Sequence, residues 1–168
     1  MRSCVFPGSF DPVTRGHLDL IRRAAGLFDR VTVTVMINIG KSGTLTTEER
    51  LALLKKACAD LPSVRIDSWS GLLADYLRKN GEVCVIRGIR NAAELEQEMI
   101  NARINRLLNP AMETVFLPAT DELSCVSSSA VREIAAFGGD ITPFVPETVG
   151  EEIRRLLEKT RRTGGRTS

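Results

Sequence analysis

The sequence predicts an α/β protein built on one open five-stranded parallel sheet with helices on both faces. Three observations predict it. Short apolar runs alternate with helical segments five times along the 168 residues. The runs, of which Val31–Ile37 is the clearest, are rich in β-branched residues and suit strands covered on both sides. The segments between them carry apolar residues at helical spacing, so each strand is followed by a helix that returns over the sheet in a right-handed crossover.

Met1–Phe6 reads as the first strand, interrupted by Pro7-Gly8-Ser9-Phe10-Asp11-Pro12. Thr14-Arg15-Gly16-His17 then opens a helix whose apolar face is Leu18, Ile21, Ala25 and Phe28. Val31–Ile37 is the second strand, with residues 38–43 as the loop at its carboxyl end. Thr46 and Glu49 have capping-box spacing before the stripe Leu51, Leu54, Cys58. Val64–Asp67 is a third, shorter strand, and Gly71–Arg78 a helix stopped by Asn80-Gly81. Val83–Ile86 is the fourth strand and runs into Arg87-Gly88-Ile89-Arg90. A long helix over Ala92–Leu108 ends at Asn109-Pro110, and Glu113–Leu117 is the fifth strand. Pro118–Ser124 is a loop, and Ser127-Ser128-Ser129 caps a helix that ends at Gly138-Gly139. Pro146–Lys159 is the last helix, which makes residues 1–160 a single domain and residues 161–168 a basic, mobile tail without an apolar anchor.

Composition narrows the function classes. Hydrophobic residues at 43% and charged residues at 26% are those of an ordinary globular domain. A net charge of +2 gives no case for a nucleic-acid partner. Cys4, Cys58, Cys84 and Cys125 are scattered without a C-x-x-C pair, and one histidine completes no zinc ligand set, so free thiols and a cytoplasmic setting are expected. No apolar stretch approaches the ~20 residues that span a bilayer, so no membrane partner is expected, and the opening residues read as strand rather than signal peptide.

The chemistry gathers at the carboxyl ends of the strands. A strand that feeds a helix through a glycine-containing loop leaves backbone N–H groups unpaired at the sheet edge, where phosphate binds. His17, the only histidine, falls in the first turn of such a helix, whose dipole disfavours imidazolium and keeps the ring a neutral donor. Ser9, Phe10 and His17 follow the first strand, Lys41 the second, Arg87 to Arg90 the fourth and the serine cluster the fifth. Singly, each has a bland reading as a turn, cap or surface charge. Together at one edge they suit a polyphosphate. No Ser-His-Asp triad or carboxylate dyad accompanies them, as fits direct nucleotidyl transfer, where the attacking phosphate is already an anion and positioning with electrostatics carries catalysis.

The run Pro7-Gly8-Ser9-Phe10-Asp11-Pro12, followed by Thr14 and Gly16-His17, resembles the signature of nucleotidyltransferases whose HxGH-type motif binds ATP. Thr14 in the place of the first histidine is similar to the phosphopantetheine adenylyltransferase branch. The resemblance continues in order through Lys41 with Thr46 to Arg50, Ile86 to Arg90, Glu96 to Glu98, Val126 to Ser129, and Gly138-Gly139-Asp140 with Pro146. It implies a Rossmann-like fold, a homohexamer, and transfer of the adenylyl group of ATP to 4′-phosphopantetheine, with dephospho-coenzyme A and coenzyme A as product-like ligands and Mg²⁺ carried on the phosphates. By the same resemblance His17 would stabilise the transition state and Ser9 hold both substrates. Lys41 and Arg87 would bind the acceptor phosphate, and Leu73 the pantetheine arm. ATP would be held by Phe10, Gly88, Ile89, Arg90, Glu98 and the run Leu123, Ser124, Cys125, Val126, Ser127, Ser128, Ser129. Gln97 and Leu123 stand where the family commonly has aromatic residues.

Overall fold

The structure, a computed structural model, describes residues 2–38, 40 and 43–164, the last three by backbone alone. Five strands, β1 (Ser3–Gly8), β2 (Arg30–Ile37), β3 (Val64–Ser70), β4 (Cys84–Ile89) and β5 (Glu113–Pro118), form one parallel sheet in the order β3-β2-β1-β4-β5. The helices are α1 (Arg15–Leu27), α2 (Thr47–Ala57), α3 (Leu73–Asn80), α4 (Ala92–Leu108), α5 (Ser128–Ala136) and α6 (Gly150–Gly164). Strand order reverses between β1 and β4. Such a switch point opens a crevice at the carboxyl ends of the two strands.

Side-chain alternation builds the two faces. Cys4 and Phe6 of β1, Val31, Val33 and Val35 of β2 and Ile86 of β4 join the larger buried cluster, with α1, α2, α5 and α6 over them. Val5 and Val85 point the opposite way, into a smaller cluster with Tyr76, Leu77 and Met112. The second face is thinly covered because α4 contributes no buried side chain, although Leu95, Met99 and Ile104 recur along it at helical intervals. Among the described residues, no helix is long and apolar enough to cross a membrane.

The fold class is as the sequence predicts, and several boundaries move. Strand β1 continues through Pro7 to Gly8 rather than stopping at Phe6. A proline is tolerated there because β1 meets β4 in register only at Val5 and Val85, and the Pro7 carbonyl is taken by Arg87 Nη1 at 2.8 Å instead of a strand partner. Strand β4 likewise runs on to Ile89, so Arg87 and Gly88 belong to the strand end rather than to a loop after it. Strand β3 extends to Ser70, paired residue for residue with β2 from Val31 and Val64 to Ile37 and Ser70. Helix α3 begins at Leu73 and closes on Gly81 in the left-handed region (φ 64°), the backbone that glycine adopts without cost. Helix α6 follows a 3₁₀ turn at Glu147–Val149 and continues to Gly164, past the expected end at Lys159.

Candidate active site

The crevice begins with the turn from β1 into α1. Thr14 caps α1: its Oγ1 accepts from the His17 N–H at 3.3 Å, and its own N–H donates to His17 Nδ1 at 3.1 Å. That second bond assigns the tautomer. A backbone N–H can only donate, so Nδ1 carries the lone pair and Nε2 carries the hydrogen. Phe10 holds the imidazole from the side, edge to face with ring centroids 5.1 Å apart. Phe10 itself is buried in a left-handed backbone conformation (φ 47°), and a Cβ on Gly8 would stand 2.9 Å from its ring. Phe10 is therefore a wall behind His17.

Burial, and then the Arg90 and Arg87 guanidinium groups, lower the His17 pKa to about 4. The unfolded chain takes up this proton near the ordinary histidine pKa of about 6.5, so the stability gained from the neutral ring is whole above that pH and is lost as pH falls toward 4. The single imidazole makes this directly measurable. In the free protein its NMR signals should stay at neutral positions on acidification to pH 5 and move only near 4. A midpoint at 6.5 would contradict the neutral, half-buried donor.

Two arginines meet two carboxylates of α4 at the end of β4. Arg87 is bidentate to Glu98, Nε at 2.9 Å and Nη2 at 2.5 Å, while its Nη1 donates to the Pro7 carbonyl. Arg90 pairs with Glu94, whose carboxyl is held below the usual carboxylate range chiefly by that hydrogen bond, and donates to the Val126 carbonyl at 3.4 Å. At Gly88 a Cβ would lie 2.3 Å from Leu20 Cδ1, so glycine lets α1 close onto β4.

Two cavities open on either side of Arg87 and Glu98. One, of about 300 Å³, is lined by Ser9, Phe10, His17, Gly88, Arg90, Glu94, Gln97, Leu123, Val126 and Ser127 among others. The second, of about 440 Å³, is lined by Met36, Asn38, Leu73, Asn101, Asn105 and Met112 among others. Pro7, Gly8, Ser9, Arg87 and Glu98 line both and form the seam between them. A donor on His17 at the edge of one cavity and an arginine in the shared wall suit a reaction between two anionic groups that meet at that seam.

Most of the residues singled out in the sequence come together here, with different jobs for some. Ser127 caps α5 through a bond from the Ala130 N–H at 3.1 Å, which leaves earlier N–H groups of the turn facing outward. The Ser128 hydroxyl donates to the Pro12 carbonyl at 2.7 Å, and the Ser129 hydroxyl accepts from Arg132. Ser124 bonds back to the Asp121 carbonyl, Cys125 is exposed, and Ile89 is half-buried at the strand end; none of the three lines either cavity. Lys41 lies outside the described residues. Gln97 and Leu123 both line the smaller cavity. The sequence motifs contain Asp11 and Arg50 without marking a role for either, and nothing in the sequence marks Arg132; all three touch the site loops through backbone groups. The capping signal at Thr46 pointed near Arg50, but no periodicity marks a side chain that bonds a distant carbonyl.

Residues 5–134 match the cytidylyltransferase-like family. The phosphopantetheine adenylyltransferase of Thiobacillus denitrificans is 47% identical over 161 residues, 96% of this chain and 99% of that protein. The enzyme of the same name from Deinococcus radiodurans is 48% identical over 155 residues, 91% of this chain and 92% of that one. Among solved structures, the bifunctional NMN adenylyltransferase/ADP ribose pyrophosphatase of Francisella tularensis superposes with a TM-score of 0.73 at 15% identity, over 96% of this chain and 52% of that chain. A structure from Vibrio parahaemolyticus gives 0.65 at 17% identity, over 96% and 95%. At such identities the likeness establishes the Rossmann-like fold.

Proposed function

Since the chain belongs to the phosphopantetheine adenylyltransferases and transfers the adenylyl group of ATP to 4′-phosphopantetheine, giving dephospho-coenzyme A and pyrophosphate, we propose a division of labour among its cleft residues. The single observation that carries it is the His17 ring, fixed by Thr14 and Phe10 with its Nε2–H unpaired among the described residues, beside a seam whose residues line both cavities.

ATP occupies the smaller cavity, with its α-phosphate toward His17 Nε2. Arg90 and the first-turn N–H groups of α5 take the β- and γ-phosphates, a use that fits a helix N-terminus. Leu123, Val126 and Ser127, with Gly88 and Glu98, border the nucleotide. The acceptor lies in the larger cavity, its arm against Leu73 and its phosphate at Arg87, Lys41 and Ser9. An oxygen of that phosphate attacks the α-phosphorus in line while the bond to the pyrophosphate oxygen breaks. The attacking group is already an anion, so no general base is required. Negative charge that builds on the α-phosphate oxygens is met by the His17 donor, which is prepositioned and neutral at working pH.

Mg²⁺ belongs to this reading as a passenger on the triphosphate. Among the described residues no three His, Cys, Asp or Glu side chains come together as a cage, and Glu94 and Glu98 are each engaged by an arginine. Such a lining fits a cation held by phosphate oxygens, where it would offset charge on the leaving pyrophosphate. The protein further assembles as a homohexamer and works in the cytoplasm. Exposed Leu95, Met99, Ile104, Leu107 and Leu108 on α4 support self-association, and the four free cysteines support a reducing compartment. Elution and light scattering at the mass of a single chain would sink the hexamer.

Pyrophosphate release from ATP and Mg²⁺ tests the reaction. It should require 4′-phosphopantetheine and stay at background with nicotinate mononucleotide or glycerol 3-phosphate. Release with a rival acceptor alone would move the acceptor assignment to the departures at Gln97 and Leu123.

A further inference from the structure

We propose that Asp11 and Arg50 form a clasp that positions the acceptor-phosphate end of the site. Neither residue contacts substrate in this arrangement; both act through backbone groups they hold. The inference rests on the reading that Ser9 and Lys41 meet the acceptor phosphate.

The Asp11 carboxylate is buried and accepts two backbone N–H groups, Thr44 through Oδ2 and Leu45 through Oδ1, each at 2.8 Å. Arg50 completes the tie from the other side. Its Nε donates to the Leu45 carbonyl at 2.8 Å and its Nη1 to the Ser9 carbonyl at 3.3 Å, while Nε stands 4.0 Å from Asp11 Oδ1. The two side chains thus join the β1–α1 loop, which carries Ser9, to residues 43–45, which begin two positions after Lys41 in the chain. Gly43 is packed into the same clasp: a Cβ there would lie 2.0 Å from Arg50 Nη2 and 3.1 Å from the Leu45 carbonyl. The far flank of the β1–α1 loop is fixed independently by α5, through Arg132 to the Asp11 carbonyl at 2.5 Å and Ser128 to the Pro12 carbonyl at 2.7 Å.

A buried acid and a buried base that spend their hydrogen bonds on loop backbone cost desolvation, which a surface loop does not need for stability alone. What the expenditure secures is one geometry between two loops, and in a site that works by orientation, displacement by an ångström is costly.

Three variants test this by steady-state kinetics with ATP and 4′-phosphopantetheine. Asp11→Asn keeps the shape but turns an amide N–H₂ toward a backbone N–H. Gly43→Ala displaces the Arg50 guanidinium from an exposed loop and leaves Asp11 untouched, so it carries the test if Asp11→Asn does not fold. Lys41→Ala is the reference. Both clasp variants should raise the acceptor KM about tenfold, with ATP KM within about twofold. Asp11→Asn should add little in a Lys41→Ala background. The proposal is overturned if both clasp variants leave the acceptor KM unchanged, or raise both KM values equally with a parallel fall in Tm. If Lys41→Ala alone is silent while the clasp variants raise the acceptor KM, it is the Lys41 assignment that fails, and the clasp acts through Ser9.

Discussion

His17→Ala should lower turnover by about 10³-fold while the ATP dissociation constant moves less than about threefold. The asymmetry follows from where the hydrogen bond gains strength. In the ground state the α-phosphate oxygens are already solvated and share a diffuse charge, so one neutral donor adds little to binding. Charge concentrates on those oxygens as the acceptor approaches, and a donor that is already aligned then strengthens without reorganisation. Alignment is what the protein supplies: Thr14 N–H fixes Nδ1 at 3.1 Å and Phe10 fixes the ring plane. Single-turnover rates with calorimetric ATP binding check the prediction. Equal losses in both would make His17 a ground-state ligand.

Much of this arrangement is legible in the sequence, and the reasons it stops are physical. Val31–Ile37 declared a parallel strand covered on both faces because it is rich in β-branched residues and carries no charge, and Thr46 declared a helix start because a hydroxyl three residues from its partner can satisfy an N–H only at a terminus. Pro7-Gly8 misled because a proline in a central strand is ordinarily excluded; only the parting of β1 from β4 admits it. Phe10, implied as an ATP contact by its place in the motif, lines the smaller cavity, and what the motif did not tell is that its buried ring also packs on His17. Helix α4 looked amphipathic, yet its apolar residues stay exposed, since periodicity says which face is apolar and not what covers it. The pairing of Arg87 with Glu98 and of Asp11 with the 44–45 backbone joins residues 11 and 33 or more apart, beyond any local signal.

Arg87→Ala should raise the acceptor KM by about 10²-fold, the scale of losing one member of a desolvated charge pair, and should exceed the effect of removing a simple phosphate contact. Its guanidinium serves three directions: both oxygens of Glu98, the Pro7 carbonyl and the seam where the acceptor phosphate arrives. Truncation removes the donor and also strands Glu98, a carboxylate only 17% exposed, against an incoming phosphate of the same sign. Arg87→Lys should recover little, because an ammonium cannot satisfy both carboxylate oxygens in the plane of a fork and still reach the Pro7 carbonyl. The stranded charge is separable from the lost contact. Adding Glu98→Gln to Arg87→Ala neutralises the carboxylate and should restore about tenfold of the acceptor KM, while the contact itself stays lost. If the double variant is no better than Arg87→Ala, Glu98 exerts no repulsion on the acceptor, and its bidentate bond to Arg87 serves only to hold α4 on β4.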